Sequence, residues 1–273
     1  MSEEIYVLVC GIDDIASAIA RRLFGEERMV VIHQPTPPRT LLRRMAYSDA
    51  WFDGYASLDG IEARRADLSS EFLLGLQTRQ FIPLLTQRFS DVVERWPWDV
   101  IVSLQTEGDT SPEDIRSCAD LTIGLGRDFI AGVHCDVVIE TAGADPGAII
   151  RSGGASRTQT RAGYEEERLC DIFAPASGVF QASKIIGAVV EAGEALGLIG
   201  ERMVEAPVSG RVRGLVRNGQ AVVAGSLISE IATSTTVTVA GVSKRNQLIS
   251  SGVAFAVEAE TSGWEPISFQ TWR

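Results

Sequence analysis

Apolar positions open the chain in short unbroken runs separated by a glycine and by helical spacing. Ile5-Tyr6-Val7-Leu8-Val9-Cys10 is apolar throughout and stops at Gly11. Ile15, Ile19 and Leu23 then share one helical face, with Arg21 and Arg22 on another. Met29 to Ile32 is a second unbroken run. Strand, glycine turn, helix and strand in that order predict the opening of a parallel α/β sheet. Strands that are apolar throughout suit a sheet covered on both faces. The pattern continues with a helix over Ser69–Leu76, a strand over Phe81–Leu85 and a short helix over Asp91–Arg95. Asp99–Ser103 reads as a strand leading into an open loop, Gln105–Ser111. Leu121–Gly124 and Asp136–Glu140 read as further strands. Arg151 to Arg161 is rich in Gly, Ser, Thr and Arg and reads as a linker that marks a domain boundary.

Beyond the linker the dominant signal is a repeat. Ala174-Pro175-Ala176-Ser177-Gly178 returns as Ala206-Pro207-Val208-Ser209-Gly210, an offset of 32 residues. At the same offset Gly187 matches Gly219, Gly193 matches Gly225 and Ile199 matches Ile231. Glycines at fixed positions supply the positive-φ corners of tight turns, and Val189-Val190 and Val222-Val223 supply β-branched pairs between them. Two short halves cannot each bury a face, so they are expected to pack on each other. The fold class expected is therefore α/β + β. Residues 1–165 form a Rossmann-like parallel-sheet domain. Residues 170–235 form a biotinyl/lipoyl-like two-half β-sandwich, a barrel-sandwich hybrid. Residues 236–273 pack back on the α/β domain.

In biotinyl and lipoyl carriers the modified lysine sits on the hairpin between the halves. Here that hairpin is Gly200-Glu201-Arg202-Met203-Val204-Glu205 and holds no lysine. An arginine cannot take its place, because its guanidinium stays protonated. No covalent biotin or lipoate is expected.

Composition narrows the function classes. Of 273 residues, 45% are apolar and 22% charged, with a formal net charge of −11. So acidic a chain is a poor generic partner for nucleic acid or an anionic membrane. No uncharged apolar run reaches membrane-spanning length, and the start Met1-Ser2-Glu3-Glu4 is acidic rather than signal-like. A cytoplasmic protein without a membrane span is expected. Cys10, Cys118, Cys135 and Cys170 form no CxxC pair, and His33 and His134 are the only histidines. A disulfide framework and a zinc site are both unsupported. Cys135 is either a buried thiol or a sulfur relay.

Gly11-Ile12-Asp13-Asp14-Ile15-Ala16 stands where a dinucleotide fold carries its glycine fingerprint. Backbone N–H groups at such a turn attract phosphate. Asp13 occupies the position of the second glycine, where a carboxylate would crowd and repel a phosphate. The competing reading is that Asp13 or Asp14 caps the following helix. Arg39, Arg43 and Arg44 lie beyond the second strand. They form either a phosphate clamp or a solvated helix face. Glu140 and Thr141 end a strand, and Gly124 and Gly126 end another; ligands collect at such carboxyl ends.

Several segments together resemble the YqeB-type accessory proteins of the selenium-dependent molybdenum hydroxylase system, akin in function to the XdhC and CoxF maturation factors. They are Val9–Ser17, Leu42–Ala50, Ile123–Gly132 and Val137–Thr141, then Val242–Arg245, Ser251–Val253 and Ala256–Ala259. The resemblance implies an accessory protein rather than an enzyme. It implies a molybdenum–pterin (dinucleotide) cofactor bound near Gly11, Asp14, Arg43, Arg44, Gly124, Gly126, Glu140 and Thr141. It also implies a client molybdenum hydroxylase or another maturation protein as partner, with a homo-oligomer left open. An NAD(P)-dependent oxidoreductase and a scaffold with a degenerate nucleotide fold are the alternatives. No catalytic residue and no metal ligand is assigned.

Overall fold

The unbroken apolar runs become the inner strands of one sheet. The computed structural model describes residues 4–104, 112–156, 169–234 and 237–261. The opening run is β1 (Tyr6–Cys10), followed by α1 (Asp14–Gly25) and β2 (Met29–His33). A 3₁₀ turn (Arg43–Met45) and α2 (Asp49–Asp53) lead into the hairpin of β3 (Tyr55–Leu58) and β4 (Ile61–Arg65). Next come α3 (Ser69–Thr78), β5 (Ile82–Leu85), α4 (Phe89–Arg95) and β6 (Val100–Leu104). The series closes with β7 (Leu121–Leu125), β8 (Ile130–Ala131), β9 (Val137–Ile139), β10 (Ile149–Ile150) and β11 (Gly153–Gly154). The loop expected over Gln105–Ser111 and the later part of the linker lie outside the described residues.

Nine of these strands form one sheet in the order β10-β9-β7-β6-β1-β2-β5-β4-β3, and β8 pairs with β11 apart from it. β1 sits between β2 and β6, parallel to both. The expected Rossmann-like parallel sheet is corrected to a mixed one: β3 and β10 run antiparallel at its two edges. The cause of the first edge is local. Asp59 (φ 45°) and Gly60 (φ 83°) make a two-residue turn with both φ positive, the hairpin turn that Asp-Gly favours. Alternate residues of β1 serve different layers. Val7 and Val9 join a core with Ile19 and Leu23 of α1. Leu8 joins another with Leu76 of α3 and Val92 of α4.

The repeat region supplies β12 (Leu169–Phe173), β13 (Gly178–Ala182), β14 (Val189–Val190) and β15 (Ala195–Ile199). It continues with β16 (Arg202–Glu205), β17 (Gly210–Leu215), β18 (Ala221–Val222) and β19 (Leu227–Ala232). The turn glycines Gly187, Gly193, Gly219 and Gly225 have φ of 97°, 85°, 82° and 80°. The biotinyl/lipoyl-like sandwich, one half packed on the other, is also corrected. Two four-stranded antiparallel sheets form, β12-β19-β17-β14 and β16-β15-β13-β18. Each draws two strands from each repeat. Strands of two to six residues bury too little within one repeat, so the halves interleave.

The last helix, α5 (Lys244–Thr261), buries Ile249, Val253, Ala256 and Val257 in the α1 core. A Cβ on Gly252 would lie 2.0 Å from the carbonyl oxygen of Gly147. Only glycine lets α5 and the loop after β9 touch backbone to backbone. The repeat module meets the α/β body along residues 41–44. Leu215 N–H donates to the Leu41 carbonyl (3.1 Å), and, beyond the module, Gly241 N–H donates to that of Arg44 (3.1 Å). Among the described residues no helix is long and apolar enough to cross a membrane.

Candidate functional site

The turn after β1 is shaped by Gly11, at φ 122°. Asp13 follows as the N-cap of α1, its Oδ1 accepting from Ala16 N–H at 2.8 Å. The anion seat at this helix end is therefore filled by the chain's own carboxylate. Burial, and then the Asp14 carboxylate, push Asp13 up to about 7 against the pull of the Ala16 and Ile15 N–H groups. Asp14 faces α5, where Asn246 Nδ2 donates to its Oδ2 at 2.7 Å.

The other predicted positions are engaged elsewhere. Arg43 donates to both carboxylate oxygens of Asp49 (3.1 and 2.9 Å) and, through Nε, to the Leu215 carbonyl (3.1 Å). Arg44 donates to the Ile186 carbonyl at 3.3 Å. Arg217 completes the seam, bonding Asp49 (3.2 Å) and Asp53 (2.8 Å) with its guanidinium over the Phe52 ring. Its hydrogen bond holds the Asp53 carboxyl below the usual range. These arginines tie the β-module to the α/β body. Arg43 and Arg44 are thus engaged at this seam, and the first turn of α1 is capped by Asp13.

Gly124 lies inside β7 under Phe129 and Cys135; a Cβ there would meet the Phe129 ring at 2.4 Å and Cys135 Sγ at 2.7 Å. It serves packing. Gly126 turns the chain after β7 at φ 120°. Glu140 is buried and staples loops: it accepts from Ala142 N–H (2.8 Å), Gly143 N–H (3.0 Å) and Ser156 N–H (2.7 Å). Burial raises this carboxyl, but the donors, Ala142 and Ser156 foremost, outweigh it and hold it below the usual range. Thr141 is half-buried in the bend that follows. Cys135 is buried and its thiol pushed up to about 11, chiefly by desolvation. That favours the buried thiol over a relay, which needs a thiolate. Among the described residues no group of three His, Cys, Asp or Glu side chains could hold a metal.

The sheet's other face carries a cavity that the sequence reading passed over. α3 and α4 leave a groove of about 370 Å³ between them, floored by Ala66 and Leu85. Phe72 and Leu73 of α3 form one wall. Val92, Trp96 and Trp98 form the other. Trp96 meets Tyr6 and Phe72 edge to face, with ring centroids 5.3 and 5.2 Å apart. Trp98 is buried and donates to the Val92 carbonyl at 3.2 Å. Trp96 Nε1 and Gln87 Oε1 are buried with no hydrogen-bond partner among the described residues. Behind Gln87, the buried His33 donates from Nε2 to its carbonyl oxygen (2.8 Å), and burial pushes the imidazole down. The signal available in the sequence was Trp96-Pro97-Trp98, two indoles about a proline directly after a short helix.

Fold and cavity define an α/β protein with a mixed sheet, a helix-walled groove and a repeat-built β-module. Over 234 residues, 82% of its length, the chain is 33% identical to the uncharacterized protein YqeB of Escherichia coli (strain K12). It spans 42% of that protein's length. The expected likeness to YqeB holds in sequence; a link to a selenium-dependent molybdenum hydroxylase system is not part of it. No family model matches the chain.

Among solved structures, the chain matches a succinylglutamate desuccinylase/aspartoacylase from Rhodobacter sphaeroides over 50% of itself and 58% of that chain (17% identity, TM-score 0.23). It matches an aspartoacylase family protein from Mesorhizobium loti over 84% and 85% (16% identity, TM-score 0.28). A succinylglutamate desuccinylase from Silicibacter sp. TM1040 is matched over 85% and 86% (12% identity, TM-score 0.25). At TM-scores of 0.23 to 0.28 no residue role comes to this chain. These names correct the functional expectations. They are names of enzymes, against the expected non-enzymatic protein. They are not those of a molybdenum-hydroxylase maturation factor, an NAD(P)-dependent oxidoreductase or a scaffold, nor of Rossmann-like or lipoyl-like proteins.

Proposed function

We propose that the α/β body binds a small, largely apolar organic molecule in the groove between α3 and α4. The cavity carries this reading. Its volume of about 370 Å³ falls within the range of small-molecule sites, and its aromatic walls with few polar groups match their usual lining. The surrounding surface supports it: Leu68, Leu73 and Leu74 are 62%, 40% and 50% exposed. Apolar side chains left uncovered around a concave site favour an occupant. The carboxyl edge near Asp13 supports binding less well, because its donors are already satisfied.

The test is a panel of small aromatic fragments titrated by ligand-observed NMR against the whole chain and against Ser69→Trp. Ser69 lies on the exposed first turn of α3 and lines the groove, so the added indole occupies the cavity. Fragments are expected to bind the unaltered protein and to lose roughly tenfold or more in affinity, about 1.4 kcal/mol, on the variant. Equal binding to both, with both folded by circular dichroism, would place the ligand elsewhere.

A further inference from the structure

The groove offers more than apolar walls, and its charges are unevenly spent. Asp67 is paired with Arg65 at 2.9 Å and Asp91 with Arg88 at 3.2 Å. Both carboxylates line the groove, and both are answered from within the chain. Arg95 also lines it, is exposed, and has no acidic partner among the described residues. The next residue is Trp96, whose indole N–H is buried without an acceptor. One end of α4 therefore presents a cation beside an unused donor. Near the other end stands Gln87, whose side-chain Oε1 is buried without a donor among the described residues.

Resting on the groove as the ligand site, we propose that its ligand is an aromatic carboxylate. The carboxylate is held by Arg95 and the Trp96 N–H, the ring lies against Phe72 and Trp96, and a ring N–H or hydroxyl reaches Gln87. A carboxylate is the acceptor a guanidinium fork binds best among small organic groups. Aromatic rings in contact prefer edge-to-face or offset packing, the arrangement Phe72 and Trp96 already adopt. Length agrees. The seven residues of α4 span about 10 Å at the helical rise of 1.5 Å per residue, the reach of a bicyclic ring with a short acid arm. Both orphan atoms belong to side chains that line the groove. A buried donor or acceptor without a partner is unfavourable, and the ligand supplies a partner to both.

The experiment is calorimetric titration of the full chain with indole-3-acetate and with its neutral counterpart indole-3-ethanol, repeated on Arg95→Gln. The acid is expected to bind roughly tenfold tighter than the alcohol. Arg95→Gln is expected to erase that preference while leaving the alcohol's affinity unchanged. Trp96→Phe is expected to weaken the acid more than the alcohol. If the alcohol binds the unaltered protein as tightly as the acid, or if Arg95→Gln keeps the preference, the carboxylate assignment is overturned and the groove stands. If neither compound binds and no fragment of the panel above does, the groove itself falls, and this proposal with it.

Discussion

Asn246, on the first turn of α5, donates its carboxamide to the Asp14 carboxylate at the start of α1, 2.7 Å away across 232 residues of chain. Both side chains lie in the joint between two helices that share one core. Asn246 is 2% exposed. Replacing it by leucine keeps the bulk and leaves Asp14 without that donor. Asn246→Leu is expected to destabilise the protein by about 1–3 kcal/mol, read as a lower urea midpoint. Asp14→Asn combined with it is expected to recover part of the loss, because no charge is then stranded.

Asp13 sets a pH dependence whose sign follows from its environment. Burial and then Asp14 raise its carboxyl to about 7, so the folded chain holds this proton more tightly than the unfolded chain. Stability from this group is therefore greatest at low pH, falls as pH rises from the ordinary carboxylate range to about 7, and is flat above. Asp13→Asn keeps an oxygen for the Ala16 N–H and removes the titration. Urea midpoints plotted against pH are expected to lose that downward slope in the variant. A slope that survives belongs to another group.

Arg43 is expected to act as a fastener rather than a ligand residue. Arg43→Ala removes the Leu215 carbonyl contact and leaves Asp49 to Arg217 alone. A loss of about 2 kcal/mol is expected from hydrogen bonds of a charged group. The double variant Arg43→Ala, Arg217→Ala is expected to split a single thermal transition into two, as the β-module and the α/β body uncouple. A single sharp transition in calorimetry would deny these arginines that role.

Gly252→Ala tests the contact between α5 and the loop after β9. The added Cβ meets a carbonyl oxygen 2.0 Å away, and backbone cannot yield as a side-chain tip can. Although alanine favours helix, overpacking of about 1–3 kcal/mol is expected to win, and hydrogen exchange at residues 142–148 is expected to quicken.

What could be read in advance depended on how local its cause was. The turn glycines of the repeat were legible because a positive φ is demanded by the turn itself. The Asp59-Gly60 hairpin was equally local and was passed over, which hid the antiparallel edge. The interleaving of the repeats was not legible: an offset shows that two segments are alike, not which strand pairs with which. Arg43 and Arg44 looked like a cluster of free charge because their partners, Asp49, Leu215 and Ile186, lie up to 172 residues away. The groove was hidden for the same reason. Phe72 and Trp96 meet only after α3 and α4 settle on one face of the sheet.

The interleaved sheets also govern the order in which this protein can be made. Among the described residues β12 pairs with β19 alone, Leu169 lying opposite Ala232. During synthesis the first strand of the module must therefore wait, its edge unsatisfied, until some sixty further residues have left the ribosome. Loop closure over that distance is a slow step. The module cannot mature in halves, and a chain cut at the Gly200 hairpin would yield two fragments, neither able to complete a sheet.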